Sequence, residues 1–170
     1  MGKDTTREKS SAGGKRAGGP YLRAMLPFRL TGQPDYAGAL ERLSPDRDRE
    51  LLVVYYGELA RRAFLGRILG AAGYRQPGED LHLLEWPVTE DLDLSGLLRN
   101  LRARKVILFG YPPEQLGLHF RVANYFPLTV AGVTYLFADS LEHIERTKEE
   151  GDNRAAGALW KAIQQAYCKT

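Results

Sequence analysis

Lys105-Val106-Ile107-Leu108-Phe109-Gly110 decides the fold of this chain. Four consecutive apolar residues, two of them β-branched, predict a strand buried on both faces, and hence an interior position in a parallel sheet. Gly110-Tyr111-Pro112-Pro113 then ends it abruptly, as a strand end opening onto a ligand- or partner-facing edge requires.

Upstream, Leu51-Leu52-Val53-Val54-Tyr55-Tyr56 repeats the pattern and ends in Gly57. A helix is predicted from residue 58 to about residue 72, with Phe64, Leu65, Ile68 and Leu69 on its apolar side and Gly73 as its stop. Residues 81–86 are a third strand, and residues 94–103 a second helix leading into the central strand. Strand, helix, strand, helix, strand with short connections implies right-handed crossovers and a parallel sheet.

After Gly110 the pattern loosens. Residues 118–126 read as extended, and residues 128–138 as a hairpin or bulged entry to a strand nearer the sheet edge. Asp139 or Ser140 caps a helix from Leu141, with Glu142 completing a capping box if Asp139 is the cap. Residues 145–150 read as a solvated charged face. Asp152 or Asn153 caps the last helix, whose stripe of Ala155, Leu159, Ile163 and Ala166 is flanked by Trp160 and Tyr167. The expected fold is α/β: three α/β/α layers around a small, mostly parallel sheet.

The 170 residues suit one domain and a tail. Residues 1–20 are almost devoid of apolar side chains and read as a disordered basic tail. Residues 21–32 form an apolar docking peptide, concentrated in Tyr21, Leu22, Met25, Leu26, Phe28 and Leu30, and residues 33–170 a single α/β domain. Six basic residues against two acidic give residues 1–24 a charge of +4, leaving −1 of the chain's net +3 for the rest. The domain is therefore not basic, and the tail offers DNA only weak, salt-sensitive attraction. One cysteine, Cys168, excludes an internal disulfide and favours a cytoplasmic setting. No apolar run reaches membrane-spanning length, and no export signal precedes the glycines of the tail.

Chemical motifs are sparse. Gly57-Glu58-Leu59 lacks the spaced glycines of a dinucleotide site, and there is no phosphate loop or nucleophile elbow. His82, His119 and His143 are scattered without ligand spacing, so neither a metal nor a cofactor is expected. Glu114 and His119 follow the central strand as a nominal base and acid, but read more readily as loop surface, with Glu114 capping a turn. Gly57, Arg61 and Gly110 make a candidate anion or ligand site at the strand ends. Arg61 sits where a helix's first turn disfavours a cation, so it pairs with a carboxylate such as Glu58, Glu85 or Asp91, snorkels to the rim, or holds an anion with Gly57.

The order Val106-Ile107-Leu108-Phe109-Gly110, the stretch from His119 to Phe126, Gly132-Val133, Ser140-Leu141, and Ala158-Leu159-Trp160 with Ile163 in a closing helix resembles the psi accessory subunit of bacterial DNA polymerase III holoenzyme. Residues 51–86 agree in pattern. The resemblance implies a uracil-DNA-glycosylase-like topology without catalytic activity, in an adaptor that links a tau/gamma-type clamp-loader subunit to other replication proteins, including a chi-like subunit, and meets DNA only indirectly. It places the docking peptide at Tyr21, Leu22, Leu26 and Phe28, with Trp160 and Tyr167 as aromatics of either a partner face or the core. The alternatives are a nucleobase glycosylase-like or other nucleotide-processing enzyme, or a small-ligand-binding α/β module.

Overall fold

β1 (Leu51–Tyr55) is buried at every residue and β3 (Lys105–Phe109) at every residue after Lys105, because each has a parallel strand on both sides and helices above and below. The computed structural model describes residues 36–43, 49–57 and 59–169. The expected tail and docking peptide, with Tyr21, Leu22, Leu26 and Phe28, lie outside these residues. The remaining elements are α1 (Ala37–Arg42), α2 (Leu59–Ala71), α3 (Pro77–Asp80), β2 (His82–Glu85), α4 (Leu94–Asn100), a 3-10 turn (Pro113–Leu116), β4 (Leu128–Val130), β5 (Val133–Ala138), α5 (Leu141–Glu149) and α6 (Arg154–Ala166).

The sheet order is β2-β1-β3-β5-β4, with β4 alone antiparallel. Strand alternation divides the core. Leu52, Val54, Val106, Leu108 and Phe137 face α1, α4 and the segment after β3, against Ala39, Leu97 and Leu116. Val53, Tyr55, Ile107, Phe109 and Leu136 face α2, α5 and α6, against Leu65, Leu69, Ile144, Leu159 and Ile163. Burying side chains of this size contributes about 1.5–3 kcal/mol each before entropy is counted.

One local expectation needs correction, and several open alternatives are decided. α4 ends at Asn100 because Leu101 is already extended, and Arg104 N–H donates to the Glu50 carbonyl to begin the strand register. Residues 118–126, read as extended, are irregular and turn at Asn124 and Tyr125. Ser140, not Asp139, caps α5: its Oγ accepts from His143 N–H at 3.2 Å, so the position that would close a capping box is His143 and not Glu142. At α6 the residue at the cap is Asn153, without a side-chain cap bond, while Asp152 Oδ1 accepts from Arg154 N–H. β4 and β5 form the hairpin, turning at Ala131 and Gly132 with φ of 50° and 78°, the left-handed pair that a two-residue hairpin needs.

Candidate functional site

The chain leaves β1 for β2 on one side of the sheet, whereas β3 is followed by β5 on the other. The carboxyl ends of β1 and β3 therefore straddle a topological switch point, where open α/β sheets bind ligands. Gly57 and Gly110 both stand there with positive φ, 129° and 77°. Between them stands Tyr56, whose ring meets Tyr111 edge to face at 5.4 Å. A Cβ on Gly110 would lie 2.7 Å from the Tyr56 hydroxyl, so glycine is what allows Tyr56 to fill the switch point.

Tyr56 divides the edge into two clefts. One, of about 520 Å3, is lined by Arg42, Tyr55, Gly57, Arg62, Glu85 and Trp86. Arg42 lies over the Trp86 ring at 4.6 Å, a cation–π contact that covers the indole. The other, of about 470 Å3, is lined by Gly110, Tyr111, Asn124, Asp139, Ser140 and His143. Here Asp139 accepts from Asn124 Nδ2 at 2.8 Å and from the Tyr125 hydroxyl at 2.6 Å. The Tyr111 hydroxyl donates away from the cleft, to the Trp86 carbonyl at 2.5 Å, and burial raises its pKa far above 10.0.

The expected trio of Gly57, Arg61 and Gly110 is not brought together: Gly57 belongs to one cleft, Gly110 to the other. Arg61 lines neither. Its stem passes beside Gly57, where a Cβ would meet Arg61 Cγ at 2.9 Å, and its guanidinium pairs with Glu145 of α5. The carboxylate that compensates the first-turn cation is thus none of those expected. It comes from the stretch read as a solvated face, and Glu145 retains only 15% of its side-chain exposure.

Tyr167 is core. It is fully buried, and its hydroxyl lies 3.0 Å from the Thr134 carbonyl and 3.3 Å from that of Val106, so it offers no surface to a partner. Trp160 is half-buried and lines a groove of about 250 Å3 between α2, α5 and α6, with Phe64, Ile68, Ile144 and Leu159. Glu114 and His119 are exposed and line neither cleft at the strand ends. His82 is buried at the start of β2. Among the described residues no cluster of His, Cys, Asp and Glu is placed to hold a metal, and no helix is long and apolar enough to cross a membrane.

Phe126 is 71% exposed beside the edge strand β4, where Leu128 is also exposed. It follows Tyr125, whose φ of 67° is rare for a bulky residue. The local signal was ambiguous, because Asn124-Tyr125-Phe126-Pro127 reads equally as strand or turn. No protein-family model matches this chain, and a search of curated proteins finds no match.

Proposed function

We propose that the chain is a non-catalytic replisome adaptor of the psi kind, joining a tau/gamma-type clamp-loader subunit to other replication proteins, with a chi-like subunit as a further partner. The parallel order β2-β1-β3-β5, covered by helices on both faces, is compatible with the uracil-DNA-glycosylase-like topology which that resemblance implies. The observation that carries the reading is Phe126: a large aromatic held outward by a strained neighbour, next to Leu128 and an edge of β4 that no other described strand pairs. Backbone strain of this type costs on the order of 1–3 kcal/mol and clusters at functional sites. An aromatic anchor beside a free strand edge suits a protein partner.

Size-exclusion chromatography of the full chain with the host's clamp-loader subunit tests this, beside a variant lacking residues 1–30 and beside Phe126→Asp. Co-elution of the full chain with loss in the truncated form puts the clamp-loader contact in the docking peptide. Loss in Phe126→Asp, with an unchanged thermal transition, puts it on the β4 edge. Absence of co-elution at micromolar concentrations removes the clamp-loader assignment.

The second reading, a small-ligand-binding module, draws support from the cleft at Asn124, Asp139 and His143, whose 470 Å3 lies within the roughly 300–1,000 Å3 of ligand sites. A thermal-shift screen with nucleobases and nucleotides tests it; no shift with any of them would remove it.

A further inference from the structure

The groove between α2, α5 and α6 has an apolar floor and a rim of one charge sign. Phe64, Ile144 and Leu159 are buried at its base, and half-buried Ile68 and Trp160 stand at its surface. Among the described residues its charged lining is Arg67 and Lys148, with no carboxylate. Arg67 keeps 71% of its side-chain exposure and shares Glu145 with Arg61, so one carboxylate serves two guanidinium groups and a positive excess remains. At about 250 Å3 the groove falls below the range of small-molecule sites but accommodates an anchoring side chain.

We propose that this groove docks an acidic amphipathic segment of another protein, which inserts a large apolar side chain beside Trp160 and sets its carboxylates against Arg67 and Lys148. Charge selects among the occupants. The chain's own apolar residues 21–30 carry Arg23 and Arg29 and no carboxylate, so they would bring like charge to the rim. A second copy joined groove to groove would oppose Arg67 and Lys148 with themselves. The inference rests on the partner-binding reading of the chain, but not on its clamp-loader assignment, and it uses different elements from Phe126.

The test is Trp160 emission in a Trp86→Phe variant, which leaves Trp160 as the sole tryptophan, titrated with three peptides. One is a roughly 15-residue amphipathic helix with leucine and phenylalanine at i, i+4 and i+7 and glutamates on its flanks. The second replaces those glutamates with lysines. The third is residues 21–30 of this chain. Calorimetry on the unmodified chain repeats the ranking without relying on the Trp86 substitution. The acidic peptide should shift the emission saturably with a Kd on the order of 10 μM, weaken as salt rises, and exceed the lysine peptide by about tenfold or more. Arg67→Glu combined with Lys148→Glu should invert that preference. Equal binding of the acidic and lysine peptides, no saturable binding of the acidic one, or tighter binding of residues 21–30 would each overturn the proposal. Clamp-loader co-elution without acidic-peptide binding would remove this site and leave the adaptor; the reverse result would keep the site and remove the clamp-loader assignment.

Discussion

The Tyr125 hydroxyl donates to Asp139 Oδ2 at 2.6 Å while the Tyr125 N–H donates to the Phe137 carbonyl at 2.8 Å. These two bonds fix both ends of a residue whose φ is 67°, and the turn they hold sends Phe126 into solvent. Burial, and then the bond to Asp139, raise the phenol's pKa well above 10.0, so it remains a donor throughout the neutral range. Tyr125→Phe keeps the ring and loses the charge-assisted bond, at a cost of about 1.5–3 kcal/mol. Urea unfolding measures it; an unchanged midpoint would mean that the hydroxyl does not hold the turn.

Arg61 and Glu145 are 84 residues apart and both partly buried, so their pairing should be visible as coupling. In a cycle of Arg61→Met, Glu145→Gln and the double variant, the double should be less destabilised than the sum of the singles, by roughly 0.5–3 kcal/mol. Additive losses would show that the pair contributes nothing beyond its separate contacts.

Gly110 and Gly117 separate backbone strain from crowding. Both have positive φ, 77° and 67°, but a Cβ on Gly117 meets nothing within 4 Å, whereas one on Gly110 meets the Tyr56 hydroxyl at 2.7 Å and Ser140 Cβ at 2.9 Å. Gly117→Ala should cost about 1–2 kcal/mol from the left-handed conformation. Gly110→Ala should cost about 1–3 kcal/mol more, through overpacking. Thermal unfolding of the two variants decides it, and equal losses would mean that Tyr56 moves aside freely.

Stability should fall at alkaline pH. Burial raises the Tyr74 phenol from 10.0 to about 12, and Tyr111, Tyr125 and Tyr167 are also raised, burial again being the largest cause. A tyrosine with a raised folded pKa favours the protonated fold. Its contribution is complete below pH 10 and is lost as pH rises through the folded value, because the folded state then holds protons that the unfolded chain releases. Circular dichroism melts across pH 9–12 should show a declining midpoint, with tyrosinate absorbance appearing at unfolding. Tyr74→Phe should soften the decline; a midpoint that stays level from pH 9 to 12 would contradict this.

The elements read correctly from sequence are those whose signal is local. The uninterrupted apolar runs at Leu51–Tyr55 and Lys105–Phe109 demand burial on both faces, whatever lies around them, and so dictate interior parallel strands. Phe64, Leu65 and Leu69 at helical spacing, stopped by Gly73, likewise needed no tertiary information to mark α2. α1 was missed because its six residues carry no independent helical signal; it forms where Ala39 is fully buried in the cluster that holds Trp86 and Leu97.

The candidate sites depended on contacts between distant residues. That Glu145 and not Glu58, Glu85 or Asp91 meets Arg61 follows from packing α5 against α2, and a charge-rich segment gives no sign of which carboxylate will turn inward. Tyr167 caps α6 and Trp160 lies at its middle, seven residues earlier, yet one is fully buried beneath β3 and β5 while the other lines a groove. Helical periodicity places both near the same stripe and cannot say where the neighbouring helix stops. The interior strands, the helices between them and their parallel order are legible in the amino-acid order, because burial and spacing act within a few residues. How Tyr56 splits the strand ends into two clefts, which carboxylate neutralises Arg61, and that Phe126 faces solvent emerge only in the folded molecule, because each depends on side chains that meet when the layers close.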